Sequence, residues 1–169
     1  FHFYNTLTSP PTHSPTSKNT FAFEGAATYK GQWSNNAKAG FGVEVTPSGC
    51  RYEGEWHADK YHGRGTLYVP RGTRVKKLQK EYMGEWARGK KDGMGTYFSP
   101  NGDVYTGEFL EDKKWGMGKH VYANGDQYRG EDKNDMRHGK GTLLVADGNI
   151  YEGMWIADQK EGPGKFLYA

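Results

Sequence analysis

The sequence predicts an all-β protein built as a single layer of antiparallel β-hairpins. Three observations support this fold class: a repeated Tyr-x-Gly-x-aromatic segment, a Gly-x-Gly segment at a fixed distance after it, and turn residues between repeats. The composition agrees, because 25 of the 169 residues are glycine and 15% are aromatic. A chain of this kind lacks the aliphatic residues of a thick core, so its buried surface has to come from aromatic rings.

The first repeated segment places two ring positions on either side of a glycine. It occurs six times, with intervals of 23, 30, 23, 23 and 23 residues between successive tyrosines. Alternate residues of a strand share a face, so the rings and the glycine point the same way. They leave a gap that a ring from a neighbouring strand can enter. The predicted structural positions are Tyr29, Gly31, Trp33, Tyr52, Gly54, Trp56, Tyr82, Gly84, Trp86, Tyr105, Gly107, Phe109, Tyr128, Gly130, Tyr151, Gly153 and Trp155.

The second repeated segment and the turns complete each hairpin. A Gly-x-Gly begins 11 residues after each of the six tyrosines, which fixes the register of the repeat. Asn-Gly and Asp-Gly pairs favour type I′ turns, whose two central residues both need positive φ. We therefore expect type I′ turns between repeats, at Ser48–Gly49, Asn101–Gly102, Asn124–Gly125 and Asp147–Gly148.

This combination of segments resembles the MORN (membrane occupation and recognition nexus) repeat. The matching features are Tyr-x-Gly-x-Trp, about six further residues, Gly-x-Gly and the 23-residue period. The resemblance implies a curved or twisted rod of stacked hairpins. We expect an extended Ser/Thr/Pro-rich tail over 1–20 and an array over 21–169, with a half-repeat at 21–28 and repeats starting at 29, 52, 82, 105, 128 and 151.

The N-terminal tail has the composition of a segment that is disordered when alone. We expect it to lie on a neighbouring molecule. Its anchors would be the apolar side chains Phe1, Phe3, Tyr4 and Leu7.

A basic insertion of seven residues separates the second and third repeats, at about 70–81. Two interpretations remain open: a docking loop for an acidic protein tail, a lipid headgroup or a phosphate, or a solvated long hairpin loop. The candidate partner-binding residues here are Arg71, Arg74, Lys76, Lys77 and Lys80, opposed within the insertion by Glu81.

Acidic residues stand at two kinds of position that affect the packing. Asp132 occupies a position that holds Trp or Phe in the other repeats. An acid cannot fill an aromatic slot, so we expect local loosening and a solvated run over 131–135. A row of glutamates one and three residues after the tyrosines predicts a solvated face of the sheet: Glu53, Glu55, Glu85, Glu108, Glu131 and Glu152.

Several function classes find no support in the sequence. The net charge of +3 is mixed in sign and does not indicate nucleic-acid binding. Cys50 is the only cysteine, and no apolar run approaches the ~18 residues that span a bilayer. The Gly-x-Gly pairs open no helix, so they do not predict a phosphate-binding loop. We predict no enzyme activity, catalytic residue, metal site or cofactor.

The resemblance leads to two main hypotheses of function. The first is an architectural scaffold that binds other proteins within a large assembly. The basic insertion is similar to that of a family member linked to sperm flagella and cilia, which implies a cytoplasmic, cytoskeletal location in a cilium, flagellum or axoneme. The alternative is a peripheral membrane module that binds anionic phospholipid through the insertion. A regulatory array beside an enzyme domain and homodimerisation through the C-terminal edge stay open.

Overall fold

The computed structural model describes residues 19–21, 27–72 and 77–169. In these residues every regular element is a β-strand, and the strands form one antiparallel sheet in chain order. The strands are β1 (Asn19–Phe21), β2 (Thr28–Ser34), β3 (Ala37–Val45), β4 (Arg51–His57), β5 (Lys60–Arg71), β6 (Lys77–Ala87), β7 (Lys90–Phe98), β8 (Val104–Leu110), β9 (Lys113–Val121), β10 (Gln127–Lys133), β11 (Met136–Leu144), β12 (Ile150–Ile156) and β13 (Gln159–Leu167).

Pairs of glycines set the register between strands. Gly31 of β2 opposes Gly42 of β3, which in turn opposes Gly54 of β4, and the later repeats follow the same pattern. The backbone of β1 keeps this register, because Asn19 pairs with Gly31. Equivalent residues of successive repeats therefore form straight rows across the sheet.

The hairpin turns differ from the prediction. Each repeat contains a two-residue turn in which both residues have positive φ, as at Asn35–Asn36 (48° and 61°). The connection after β3 runs over 46–50, and there Gly49 alone has positive φ (86°) while its N–H donates to the Thr46 carbonyl. The prediction of type I′ turns at the glycine pairs between repeats is therefore wrong, because those pairs lie in wider turns that need one positive φ.

Aspartates in the two-residue turns join neighbouring repeats. The Asp112 carboxylate accepts the backbone N–H of Lys91 at 2.9 Å, and the Asp112 N–H donates to the Lys91 carbonyl at 2.9 Å. The bond to the charged carboxylate stabilises a turn in which Glu111 and Asp112 both have positive φ. The same pair of bonds links Asp59 to Lys38, Asp135 to Lys114 and Asp158 to Arg137.

The core is a row of aromatic rings on one face of the sheet. Each tyrosine ring lies over the glycine pair of its own hairpin: a Cβ atom on Gly54 would lie 2.7 Å from Tyr52 Oη, and one on Gly65 would lie 2.6 Å from Tyr52 Cε2. The Tyr52 hydroxyl donates to the Glu55 carbonyl at 3.0 Å. The gap over the glycine is thus filled by the tyrosine of the same strand, and not by a ring from a neighbouring strand as predicted.

Rings of consecutive repeats meet edge to face. Tyr52 lies 5.3 Å from Trp56 of its own strand and 5.6 Å from Trp86 of the next repeat, with ring planes at 87° in both pairs. Trp86 also donates its indole N–H to the Gly65 carbonyl at 3.2 Å. These contacts repeat along the sheet, so each repeat stabilises its neighbours.

The basic insertion lengthens two strands of the sheet. β5 and β6 continue past their tyrosine register, with Pro70 opposite Leu78 and Arg71 opposite Lys77. A bulge between Leu67 and Tyr68 marks the point where the longer hairpin leaves the register of the other repeats.

We expect Tyr52→Ala to lower the free energy of unfolding by about 3–5 kcal/mol, because it removes a fully buried ring and uncovers the glycine pair. Tyr168→Ala is the matched control, since that ring is 82% exposed, and it should change stability by less than about 0.5 kcal/mol. Urea denaturation followed by tryptophan fluorescence measures both. Equal midpoints for the two variants would contradict the core described above.

We also expect the array to lose stability in alkaline solution. Burial, followed by the charges of Glu44 and Asp59, raises the pKa of Tyr29 to about 12. Because an unfolded tyrosine ionises near pH ~10, this contribution is full below that pH and is lost as the pH rises towards about 12. Burial raises the pKa in the same direction for Tyr52, Tyr82, Tyr105 and Tyr128. Tyrosinate absorbance should therefore appear together with loss of β-sheet circular dichroism.

Candidate binding surfaces

Four glutamates hold the backbone of the strand that follows them. Glu85 accepts the Met94 N–H at 3.0 Å, and Glu55 accepts the Arg64 N–H at 2.9 Å. Each N–H belongs to the middle residue of a Gly-x-Gly, where the strand bulges. The predicted solvated face is confirmed for Glu55, Glu108 and Glu131, which are exposed, and their carboxylates also bind the backbone. The other two bonds join Glu108 to Met117 and Glu131 to Lys140.

Asp132 fills its slot as one half of a buried pair. It is 3% exposed, and its two carboxylate oxygens lie 3.0 and 2.9 Å from Nε2 of His120, which belongs to the preceding repeat. The His120 ring lies 4.7 Å from the ring of Tyr105 and 5.5 Å from that of Tyr128. The predicted loosening at Asp132 is wrong, because His120 supplies the hydrogen-bond partner that a buried carboxylate requires.

The His120–Asp132 pair divides the buried rings into two clusters. One extends from Tyr29 to Phe109, and the other contains Tyr128, Tyr151 and Trp155. The polar pair His120–Asp132 therefore lies between the two clusters of buried rings. The sequence indicates this pair, because both residues are polar where most other repeats have apolar or aromatic residues. The equivalents of His120 include Leu67, Tyr97 and Leu143, and those of Asp132 are Trp or Phe.

The face opposite the tyrosines, which we call the open face, has no second layer over it within the described residues. The middle residues of the Gly-x-Gly segments form one row on it: Phe41, Arg64, Met94, Met117, Lys140 and Pro163. The residues after the tyrosines form another row: Lys30, Glu53, Met83, Thr106, Arg129 and Glu152. Large apolar side chains in and beside these rows are exposed by between 38% and 60%: Phe41, Met83, Met94, Met117 and Met154.

Grooves run along the open face. One of about 740 Å³ crosses β9 to β13 and includes Met117, Lys119, Arg129 and Met154 in its lining. Another of about 600 Å³ lies against Phe41 at the other end of the face. The open face therefore offers concave surface with exposed apolar side chains.

The structure gives Arg71 of the basic insertion a role in packing. Its guanidinium donates to the Phe98 carbonyl at 3.1 Å and lies 3.6 Å from the Glu81 carboxylate. The side chain is 17% exposed. Arg71 therefore ties the extended hairpin to the following hairpin.

The other predicted contact residues are placed as follows. Lys77 and Lys80 are exposed on β6, next to Leu78, which is 47% exposed. The remainder lie outside the described residues: Arg74, Lys76, Phe1, Phe3, Tyr4 and Leu7. Their part in binding stays a prediction.

In the described ranges, no three His, Cys, Asp or Glu side chains are grouped closely enough to hold a metal ion. The same ranges contain no helix with the length and hydropathy to cross a bilayer.

A protein-family profile, described as the MORN repeat, matches most of the chain. The matched segments are 29–51, 52–74, 82–104, 105–127, 128–150 and 151–169. The chain belongs to the MORN repeat family. A comparison with curated proteins found no match. The family assignment predicted from the two repeated segments is thereby confirmed, and so is the all-β hairpin array.

The MORN array also contains structural hydrogen bonds that were not predicted from the sequence. Glutamate carboxylates accept backbone N–H groups of the following strand, and turn aspartates accept backbone N–H groups of the preceding repeat. Both kinds of hydrogen bond recur with the repeat period. Their periodicity is visible in the sequence, but their bonding partners become evident only when the strands are paired.

We expect His120→Ala to destabilise the protein by about 3–5 kcal/mol, because it leaves the buried Asp132 carboxylate without a partner. The double variant His120→Leu, Asp132→Trp restores the residue types of Leu67 and Trp86, so it should be at least as stable as the wild type. His62→Ala, at an exposed position of β5, is the control. Urea denaturation measures the stability of all three variants. A His120→Ala variant as stable as the His62→Ala control would disprove the role of the pair.

Proposed function

We propose that this chain is a non-catalytic scaffold that binds protein partners along its open face. Repeats of this family are in general modules that bind proteins or membranes. The observation that carries the proposal is the exposed apolar row: Phe41 is 60% exposed, Met94 52% and Met117 51%, each at the same position of a different repeat. Exposed apolar patches that recur in register indicate an interaction surface.

The open face can bind a partner without disturbing the core, because its side chains are not part of the core. The buried rings, their hydrogen bonds and their glycine pairs all lie on the aromatic face. Methionine is flexible and polarisable, and it is common at surfaces that adapt to a partner. The exposed apolar residues of the open face thus have the composition of a binding surface, and they form none of the contacts of the aromatic core.

The polar residues of the chain support a structural and not a chemical role. The carboxylates of Glu55, Glu85, Glu108 and Glu131 bind backbone N–H groups. The one buried His–Asp pair in the described ladder is enclosed by Tyr105, Tyr122 and Tyr128. These groups maintain the sheet and are not presented to a substrate.

The scaffold would act within a large cytoskeletal assembly, most specifically a ciliary or flagellar axoneme in the cytoplasm. The support for this finer proposal is the similarity of the basic insertion to that of MORN repeat-containing protein 3, which is linked to sperm flagella and cilia. Partners would be other protein subunits of that assembly.

A membrane-binding function is the second candidate, and the observation favouring it is the extended basic hairpin. Lys77 and Lys80 flank the exposed Leu78 on the same strand. Lysines near an anionic bilayer contribute ~1 kcal/mol each. In this candidate function the hairpin, and not the open face, makes the contact.

Affinity purification from ciliated cells with mass spectrometry tests the two candidates. We expect Phe41→Asp, Met94→Asp to lose its protein partners while it keeps the wild-type melting temperature, since both residues lie at the surface. Tyr168→Asp is the control for adding charge at an exposed apolar residue. Axonemal or other cytoskeletal proteins that depend on residues 41 and 94 would support the proposal.

The opposite outcome is equally defined. Partners retained by the Phe41, Met94 variant would contradict the open face as the binding surface. Binding to phosphatidylserine vesicles that is lost in Lys77→Glu, Lys80→Glu would place the membrane function first.

A further inference from the structure

The groove across β9 to β13 combines exposed apolar side chains with three cations, Lys119, Arg129 and Lys140. We propose that it binds an amphipathic helix of a partner protein, one that carries acidic side chains one turn apart beside an apolar stripe. This inference rests on the proposed function, and it names the class of partner and the part of the open face involved.

Three exposed cations stand on adjacent strands of this groove. Lys119 of β9 lies directly opposite Arg129 of β10, and Lys140 lies on β11. Like charges that face each other across a strand pair destabilise a sheet. None of the three side chains forms an ion pair or a ring contact among the described residues, and Glu152 is the one acid that lines the groove.

Several other cations of the described residues are engaged by the protein itself. Lys38 and Arg51 pair with Glu44 and Glu53. Further contacts place Lys91, Lys114 and Lys160 over tyrosine rings. The cluster at Lys119, Arg129 and Lys140 thus presents positive charge that the folded chain leaves for an external anionic group.

The apolar part of the groove surrounds these cations. Met117, Leu144, Met154 and Pro163 contribute to its lining. The side chains of Met117 and Met154 are 51% and 38% exposed. A matching ligand needs apolar side chains as well as carboxylates, which excludes a simple phosphate and favours an amphipathic segment.

The cations lie on a diagonal across three strands. Lys119 and Arg129 are direct partners, about 4.8 Å apart, while Lys140 lies two residues along β11 from Thr142, the partner of Arg129. A strand step of about 4.8 Å and a two-residue step of about 6.6 Å separate Arg129 from Lys140 by roughly 8 Å. Carboxylates at successive turns of a helix are roughly 5–6 Å apart, so a helix laid along this diagonal brings one within reach of each of the three long side chains.

The charge pattern distinguishes this groove from a neighbouring one. A groove of about 430 Å³ near Met83 and Met94 includes Arg64 together with Glu53 and Glu85 in its lining. Its cation is balanced by nearby acids. Of these two grooves, an acidic helix is therefore favoured by the one across β9 to β13.

A designed peptide gives the test. The probe is a fluorescein-labelled helix with glutamates at i, i+4 and i+8 beside a leucine stripe, and fluorescence anisotropy measures its Kd with the full chain. We expect Lys119→Glu, Arg129→Glu to weaken binding by at least about tenfold, a loss of ~1.4 kcal/mol. The control Lys60→Glu, Lys113→Glu makes the same change in net charge at exposed turn ends, and it should bind like the wild type.

A second experiment reverses the charges of both the peptide and the groove. A peptide with lysines in place of the glutamates should bind the Lys119→Glu, Arg129→Glu variant and not the wild type, a rescue that misfolding cannot produce. Equal binding of a peptide with the same composition but glutamates at i, i+2 and i+4 would overturn the helical match. No binding of the probe, or loss of binding in the control variant alone, would overturn the inference.

Two further outcomes separate this inference from the functions above. Binding to phosphatidylserine vesicles that requires Lys119 and Arg129, without binding of the peptide, would assign the groove to a membrane. Cellular partners that are lost with Phe41→Asp, Met94→Asp but kept with Lys119→Glu, Arg129→Glu would leave the scaffold function standing and refute the acidic helix.

Discussion

The structure depends on the close contact between each tyrosine ring and a pair of glycines. The Tyr52 ring rests on Gly54 and Gly65, with no room for a side chain at either position. This contact fixes which residues of two strands face each other and allows the ring to reach a carbonyl of its own strand. A second sheet or a helix is not needed to bury the rings, because the backbone of the same hairpin covers one side of each of them.

A sheet that buries its aromatic rings on one face leaves its other face outside the core. Backbone groups at bulges and turns are bound by glutamates and aspartates, so much of the polar surface maintains the stacking of repeats. The apolar and basic side chains of the open face have no such task. Their availability is what makes this face the proposed binding surface, and on that proposal the side chains that vary from repeat to repeat would select the partner.

The sequence predicted the repeats, the register and the fold class correctly, because they follow from residues at fixed intervals. Predictions failed where a residue depends on another strand, and two of them show why. Asp132 was expected to loosen the stack, yet His120, twelve residues earlier in the chain, binds it inside the ladder. Type I′ turns were expected at Asn-Gly pairs, yet they form at pairs such as Ala58–Asp59, where the register leaves room for two residues alone and Asp59 bonds to the preceding repeat.

The sequence by itself determined that this protein is a MORN array of six repeats, since glycine, tyrosine and tryptophan can recur at these spacings only if each hairpin packs in the same way. Tertiary structure decided what the other side chains do. It joined His120 to Asp132, bound Arg71 to the next hairpin, and brought Lys119, Arg129 and Lys140 together from three strands. Such pairings depend on distances across strands, and a linear sequence does not contain those distances until the register of the sheet is known.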